Sequence, residues 1–262
     1  MMIRRITYWT SVSASQTGTR ESNEDFIAIR TLQYGIWRLK LLIVCDGVGG
    51  RPEGGACAVA VGEAVISTVQ NYLENRKSKL TLSGKETERI ARKLLALSIN
   101  DLARQSACTL AVALVYPKLL GRRWATMVFW AGDSRVYELQ EDSGALRLLT
   151  NDHSDQEGRL TSYYAGDGRV KGHLSWLYRD GPIPPAAVCV TTDGVHDHCQ
   201  TEEIRHFLFY CMSESLRTNE RLSQELSEFL SLNISDNFSF GLYYRRLTEP
   251  HLRTLASDLE ED

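Results

Sequence analysis

The sequence predicts an α+β protein built as an antiparallel β-sandwich flanked by pairs of α-helices, with layers in the order α-β-β-α. Two observations favour this fold class. Strand-like segments follow one another in pairs joined by short turns, and helical segments also arrive in pairs. A parallel sheet would instead alternate single strands with single helices. The chain has 262 residues, 43% of them hydrophobic, which is enough to bury a substantial core.

The first hundred residues predict strands followed by two helices. Residues 6–15 and 25–45 are rich in Ile, Val, Leu, Tyr and Trp and are expected to form strands. Over 56–73 the apolar residues recur every three or four positions, which predicts a helix. A polar stretch at 77–85 connects it to a second amphipathic helix expected at 87–104.

The middle of the chain predicts four short strands in succession. Their expected bounds are 108–116, 123–131, 134–139 and 145–149. Glycine, proline and aspartate between them supply the chemistry of tight turns, which favours antiparallel pairing of neighbours.

The C-terminal part begins with a long segment of weak periodicity. We expect a flap at about 155–182, because loops of this length are commonly functional. The elements expected after it are a strand at 186–192, helices at 201–213 and 219–232, and a last strand at 238–246. No repeat or linker interrupts the chain, so we expect one domain over 1–262 with a frayed tail at about 249–262.

Composition and charge narrow the class of partner. The chain has 30 Lys and Arg against 33 Asp and Glu, a net charge of −3, which predicts no basic surface for nucleic acid or anionic membrane. Its six scattered cysteines include no C-x-x-C pair, which favours a reducing cytoplasm over a disulfide framework. No segment reaches the ~18 uninterrupted apolar residues of a membrane span. We therefore expect a cytoplasmic protein without nucleic-acid or membrane partners.

Three apolar runs stop abruptly at an aspartate beside a glycine. The runs end at Asp46, Asp133 and Asp193, and a fourth aspartate, Asp236, precedes the last expected strand. Strand ends lie at the rim of a core, so we expect these carboxylates to share one cleft. Two bare carboxylates about 5 Å apart repel by roughly 3 kcal/mol at an effective dielectric near 20. Each Asp-Gly alone is a common turn signal, but the set together favours a bound cation.

A motif near the N-terminus places Arg20 close to the adjacent acids Glu24 and Asp25. It is followed along the chain by D-G-V-G-G at 46–50, G-D-S-R at 132–135, T-D-G at 192–194 and D-N at 236–237. In this order and spacing the blocks resemble the metal-dependent Ser/Thr protein phosphatases, the PPM or type 2C family, and in particular its bacterial-type members. The resemblance covers nearly the whole chain.

The resemblance implies two Mg²⁺ or Mn²⁺ ions bound by oxygen ligands, which these hard cations prefer. Asp46 would bridge the two ions. Asp193 and Asp236 would complete one site, and the backbone carbonyl of Gly47 would complete the other. Asp133 would help to bind a third, weaker ion together with Asp193.

The resemblance also implies roles around these ligands. Glu24 and Asp25 would hold metal-bound waters, and Asn237 would orient one of them. Arg20 would grip the phosphate oxygens with its planar guanidinium group, a task that Lys performs less specifically.

Two positions depart from the family pattern. Val48 stands where many members carry a His proposed to protonate the leaving alkoxide, so a metal-bound water is expected to supply that proton. His153 and His196 are alternative acids by their place beside the motifs. The flap also departs, and its pair Tyr163 and Tyr164 is either a substrate platform or the packing of a loop.

The resemblance implies hydrolysis of phosphoserine and phosphothreonine in proteins by a metal-bridging hydroxide, without a covalent phosphoenzyme. An opposing Ser/Thr kinase would supply the phosphorylated protein. Two alternatives stay open: a catalytically silent relative that serves as a binding module, and a phosphatase dedicated to one regulatory partner. The presence of Asp46, Asp193 and Asp236 argues against the first, and the unusual flap is the reason to keep the second.

Overall fold

Two antiparallel sheets of five strands each form the centre of the computed structural model, which describes residues 9–35, 37–49, 51, 53–76, 82–99, 102, 105–118, 123–214, 218–230 and 235–245. In chain order, the strands β1 to β13 of these ranges span Trp9–Gln16, Phe26–Tyr34, Trp37–Cys45, Ala107–Cys108, Leu110–Lys118, Arg123–Ala131, Arg135–Gln140, Leu146–Leu148, Tyr163–Ala165, Val170–Lys171, Ser175–Gly181, Pro185–Thr191 and Phe238–Arg245. The helices α1 to α5 of the same ranges span Gly54–Glu74, Gly84–Leu94, Asp193–His196, Thr201–Ser213 and Asn219–Phe229.

Every described pairing in the two large sheets is antiparallel. The first sheet has the order β1-β13-β12-β7-β8, and the second has the order β11-β6-β5-β3-β2. A small third sheet, β10-β9-β4, connects part of the flap to the segment before β5. The antiparallel sandwich predicted from paired strands and short turns is therefore confirmed.

Side chains of successive strand residues alternate between two hydrophobic layers. Along β3, Leu41 packs toward α1 and α2, whereas its neighbour Leu42 packs between the two sheets. Along β12, Cys189 packs toward α4 and α5, whereas Val190 joins the layer between the sheets. Both sheets are thus covered on both faces, and the layers follow the predicted order α-β-β-α.

Most predicted elements agree with the structure. The strand expected at 123–131 is β6 and the helix expected at 201–213 is α4, with the same ends. The segment 25–45 forms a hairpin of β2 and β3, which Gly35 helps to turn with a φ of 61°. The tail expected at 249–262 lies outside the described residues, and the single domain stays a prediction. Within the described ranges, no helix combines the length and the hydropathy that a membrane crossing requires.

The helix predicted over 87–104 is wrong at both ends, since α2 spans Gly84–Leu94. After Leu94 the chain pairs with the flap, where the Leu97 N–H donates to the carbonyl of Gly168 at 2.8 Å. This long-range hydrogen bond takes the place of an intrahelical one. Apolar periodicity does not show whether a backbone N–H donates to a carbonyl of its own helix or to one in a distant segment, so the sequence predicts too long a helix.

The flap contains more regular structure than its sequence predicts. Within it, β9 and β10 pair with each other, and β11 forms an edge of the second large sheet. The four-residue helix α3 directly after β12 is likewise not predicted. Elements of two to four residues are too short to establish a period, which is why the pattern misses them.

Candidate metal and phosphate site

A cavity of about 650 Å³ lies where strands of both large sheets end. From the second sheet, β3 leads into Asp46 and β6 leads toward Asp133. From the first sheet, β12 leads toward Asp193, and Asp236 lies just before β13. All four aspartates line the cavity, so the structure brings together the carboxylates that were expected to share one cleft.

The loop that carries Asp46 is held by backbone hydrogen bonds to neighbouring segments. The Asp46 N–H donates to Thr109 Oγ1 at 3.0 Å, and the Thr109 N–H donates back to the Asp46 carbonyl at 2.8 Å. The Gly47 N–H donates to the carbonyl of Glu24 at 3.2 Å. Gly47 and Glu24 also line the cavity. The loop is therefore fixed on both sides before any ligand binds.

A close approach at Gly194 brings the other two aspartates into the same cavity. A Cβ at Gly194 would lie 2.0 Å from the carbonyl oxygen of Asn237, a contact that no side chain tolerates. Gly194 follows Asp193 in α3, and Asn237 follows Asp236. Glycine at this position thus allows the two acidic segments to pack directly against each other.

The carboxyl groups of Asp46 and Asp193 lie close enough to influence each other's ionisation. Burial, followed by the charges of Asp193 and Asp25, raises the pKa of Asp46 well above its ordinary value. Burial also raises the pKa of Asp193, against an opposing contribution from the neighbouring Asp46 carboxyl group. Two neighbouring buried carboxyl groups with raised pKa values favour a cation between them, because the cation would offset their charges.

Asp25 and Asp133 also have carboxyl groups with raised pKa values. Burial, reinforced by the charge of Asp193, raises the pKa of each of the two carboxyl groups to about 7. In each residue Oδ1 is buried and has no hydrogen-bond partner among the described groups. The other oxygen of Asp25 accepts a hydrogen bond from Thr192 Oγ1 at 2.9 Å. Buried carboxylate oxygens without donors fit a hard divalent cation.

Among the residues that the structure describes, Asp236 forms an ion pair with an arginine, unlike the other three aspartates of the cavity. Arg20 Nη2 lies 2.8 Å from Asp236 Oδ2, and Arg20 Nε donates to the carbonyl of Ser235 at 3.0 Å. Across the described ranges, no three acidic, His or Cys side chains converge as ligands of one ion. The complete ligand set that the resemblance implies is therefore not assembled in this conformation. The Arg20 and Asp236 side chains are 49% and 38% exposed, and such an exposed pair contributes only about 0–1 kcal/mol, so releasing Asp236 costs little.

Asn237 connects the N-terminal motif to the start of β13. Its Oδ1 accepts a hydrogen bond from the Glu24 N–H at 2.8 Å. Its Nδ2 donates to the carbonyls of Thr17 and Ser22 at 3.0 and 2.9 Å. The structure thus gives Asn237 a positioning role for the segment that carries Arg20 and Glu24. Its contact with a metal-bound water stays a prediction.

The two histidines considered as alternative acids do not line the cavity. His153 accepts a hydrogen bond from the Gly132 N–H at 3.4 Å, and its Nε2 lies 3.0 Å from Ser175 Oγ. Burial lowers the pKa of His153 to about 4 and that of His196 to about 3. Both rings are therefore neutral at physiological pH and pack within the fold.

Arg51 and Tyr163 are among the cavity residues to which the family resemblance assigns no role. Arg51 directly follows the 46–50 glycine block and lines the cavity together with Tyr163 of the flap. The neighbouring Tyr164 is fully buried and donates its hydroxyl to the carbonyl of Leu94 at 2.6 Å. The sequence left two roles open for this pair, a substrate platform or the packing of a loop. Tyr164 packs the loop, whereas Tyr163 faces the cavity. Arg51 was not predicted from the sequence, although an arginine directly after a glycine-rich block is a signal that could have identified it.

Asp25→Asn is expected to stabilise the metal-free protein at about pH 8 and to make little difference at about pH 4. The folded protein holds the Asp25 proton up to a pKa of about 7, whereas the ordinary value is 3.8. The stability that this proton contributes is complete below 3.8 and is lost as the pH rises through about 7. The neutral Asn side chain avoids that loss. Melting temperatures in EDTA across this pH range provide the measurement.

The control for the Asp25 experiment is Asp142→Asn, which removes one exposed carboxylate from the turn between β7 and β8. It should shift the melting temperature equally at both pH values. An Asp25→Asn effect that is the same at pH 4 and pH 8 would contradict the explanation by a buried, protonated carboxyl group.

Comparison with known proteins finds a matching family. The sequence profile described as "Protein phosphatase 2C" matches residues 13–231. A Mycoplasma genitalium protein named "Putative protein phosphatase" is 29% identical over 139 residues, which are 52% of this chain and 50% of that protein. The chain thus matches about half the length of this curated relative.

Solved structures of bacterial phosphatases share the fold. The serine/threonine phosphatase Stp1 from Staphylococcus aureus superposes with a TM-score of 0.64 at 19% identity, covering 93% of this chain and 99% of that one. The catalytic domain of the serine threonine protein phosphatase PstP, in complex with two manganese ions, superposes with a TM-score of 0.59 at 20% identity, covering 91% and 99%. At these identities the likeness concerns the fold.

Proposed function

This chain belongs to the protein phosphatase 2C family, and from that premise we propose that it hydrolyses phosphoserine and phosphothreonine in proteins with the help of divalent metal ions. The phosphorylated substrate is a protein modified by an opposing Ser/Thr kinase. The scattered cysteines support a reducing, cytoplasmic setting for both.

The observation that carries the proposal is the cavity at the end of the sandwich. Four aspartates from two different sheets and the guanidinium group of Arg20 line one space of about 650 Å³. Carboxylates that repel one another are retained where a cation compensates them. An arginine at the same opening is suited to a phosphate group.

Mg²⁺ or Mn²⁺ fits the donor set, which consists of oxygen groups and includes the unpartnered buried Oδ1 of Asp133. Asp46, Asp193, Asp236 and the carbonyl of Gly47 would hold two ions, and Asp133 would contribute to a third. When bound, such ions offset charge on phosphoryl oxygens and acidify coordinated water. The two manganese ions of the PstP structure support the same choice of metal here.

Side chains of the cavity orient the substrate, and their types favour water as the nucleophile. Arg20 has an exposed guanidinium group beside the acidic residues and binds phosphate oxygens as a planar fork. The described lining of the cavity contains no His and no Cys, which supports water rather than either of these side chains as the nucleophile. Val48 has no acidic proton to give, so the leaving oxygen would take its proton from a water molecule that the bound ions would acidify.

A catalytically silent binding module is the second candidate. The observation that favours it is the pairing of Asp236 with Arg20, which leaves the ligand set incomplete among the described residues. Calorimetric titration with Mn²⁺ separates the two candidates. Two tight sites support the phosphatase, and the lack of any measurable heat supports the module.

The direct test is hydrolysis of p-nitrophenyl phosphate by the purified protein. We expect turnover with Mn²⁺ or Mg²⁺ and loss of turnover with EDTA, because the carboxylates alone repel a phosphate dianion. Release of phosphate from a phosphothreonine peptide extends the test to the proposed substrate class. A protein that binds two Mn²⁺ ions yet hydrolyses neither substrate would contradict the proposal.

A further inference from the structure

We propose that Arg51, held against the ring of Tyr163, binds a second negative charge on the substrate. The phosphatase would then prefer phosphoserine or phosphothreonine that has another anionic group nearby in the peptide. This inference rests on the proposed function and names the substrate class of the same cavity.

Arg51 is held in place by backbone and side-chain contacts. Its N–H donates to the carbonyl of Val48, within the glycine block, at 3.3 Å. Its Nη1 donates to the carbonyl of Gln105 at 3.2 Å. The guanidinium carbon lies 4.9 Å from the centre of the Tyr163 ring, a cation–π contact. The long side chain therefore has a defined position before the substrate binds, which lowers the entropy cost of binding.

Tyr163 is itself fixed by the small third sheet. It pairs with Lys171 of β10, and its neighbour Tyr164 pairs with Cys108 of β4. Tyr164 is fully buried and anchors this part of the flap to the end of α2 through its hydroxyl group. The ring under Arg51 is consequently part of the scaffold rather than of a freely moving loop.

The three arginines that line the cavity differ in how their charges are compensated. Arg20 pairs with Asp236 at 2.8 Å. Arg159 pairs with Asp155 at 2.9 Å and with Glu157 at 2.8 Å. Among the described contacts, Arg51 meets a carbonyl and an aromatic ring but no carboxylate. No described carboxylate therefore offsets the positive charge of Arg51, which is available to a second anion from outside in addition to the phosphate that Arg20 would bind.

The distance along the loop sets the spacing between the two anions. A Cβ at Gly49 would lie 3.7 Å from Arg20 Nη1, so the phosphate-binding arginine lies beside the same loop. Arg51 follows Gly49 by two residues, a span of at most about 7 Å. An anion one to three residues from the phosphorylated residue would reach Arg51. A glutamate or aspartate carboxylate and a second phosphate group share the two-oxygen geometry that a guanidinium group binds.

The test compares phosphothreonine peptides that differ at one of the three positions on either side. Each position carries Ala, Glu, Lys or a non-hydrolysable phosphonate, so the arms distinguish a carboxylate from a second phosphate. With Mn²⁺ present, we expect kcat/KM to be about fivefold higher for the best anionic peptide than for the Ala peptide, mainly through KM. In Arg51→Ala this ratio should fall to about one.

Further variants separate recognition from a structural effect. Arg51→Glu should reverse the preference in favour of the Lys peptide. Tyr163→Phe keeps the ring and should keep the ratio, whereas Tyr163→Leu should lower it. Arg159→Ala is the matched control, because it removes a cavity arginine whose charge is already paired, and it should leave the ratio unchanged.

The failure of this inference is distinguishable from failure of the proposed function. If the protein hydrolyses p-nitrophenyl phosphate but treats Ala and anionic peptides alike, or if Arg51→Glu keeps the anionic preference, the inference is wrong and the phosphatase proposal stands. If it hydrolyses nothing, fluorescence anisotropy with labelled phosphonate analogues of the same peptides replaces kinetics. Equal affinity for the Ala and Glu analogues, or the same preference in Arg51→Glu, would overturn the inference in that case too.

Discussion

Asp46→Asn is expected to lower kcat for p-nitrophenyl phosphate by about a thousandfold or more. Residues that merely orient metal ligands cost about 10- to 100-fold when changed, and Asp46 is expected to bind both ions directly. Asn keeps the shape of the side chain but supplies one neutral oxygen in place of a carboxylate. Steady-state kinetics at saturating Mn²⁺, together with calorimetric titration of the ion, provide the measurement.

The same variant should raise the melting temperature of the metal-free protein at about pH 8. Burial and the charges of Asp193 and Asp25 raise the pKa of Asp46 well above its ordinary value, so ionisation of this carboxyl group opposes folding as the pH rises. Asn has no charge to bury. A variant that loses activity and is also less stable than the wild type in EDTA would indicate general disruption of the fold. Asp142→Asn again controls for the loss of one carboxylate.

Arg20→Ala is expected to lower kcat/KM by about 100-fold, mainly through a higher KM. The guanidinium group offers two parallel N–H donors to phosphate oxygens, and charge-assisted hydrogen bonds of this kind contribute about 1.5–3 kcal/mol each. Arg20→Lys should recover only part of the loss, because an ammonium group lacks the planar fork. Initial rates over a range of peptide concentrations separate KM from kcat.

The affinity for Mn²⁺ distinguishes phosphate binding from support of the metal site. Arg20 holds Asp236 at 2.8 Å in this structure, so Arg20→Ala frees a carboxylate that the resemblance assigns to an ion. The affinity of the Arg20→Ala variant for Mn²⁺ should therefore equal or exceed that of the wild type. A loss of Mn²⁺ affinity as large as the loss of activity would show that Arg20 supports the ligands instead. Arg159→Ala is the control for removing one arginine from the cavity.

The fold class could be predicted from local sequence patterns. Because each large sheet has both faces buried, its strands appear in the sequence as short apolar runs. In β3, Leu41 and Leu42 are adjacent and equally buried but belong to different hydrophobic layers. Such runs of apolar residues, bounded by turn residues, identify strands well. The end of α2 was not predictable in the same way, because the hydrogen bond from Leu97 to Gly168 joins segments far apart in the sequence.

The shared cavity of the four aspartates also follows from local patterns, since strand ends in a sandwich meet at its rim. The pairing of Asp236 with Arg20 does not, because it depends on side-chain geometry between the two ends of the chain. The same holds for Asn237, whose amide group is occupied by three backbone groups of the N-terminal segment. Family resemblance assigns chemistry to residues but not the hydrogen bonds that they make without ligand.

The sequence by itself determined the architecture, the family and the acidic character of the site, since these depend on periodicity and on motifs that are contiguous in the chain. Only the tertiary structure decided which of two adjacent tyrosines packs and which faces the cavity, and that Arg51 meets Tyr163 there. The physical reason is that the charge, burial and direction of a side chain depend on neighbours brought together by folding, and a linear pattern does not contain those neighbours.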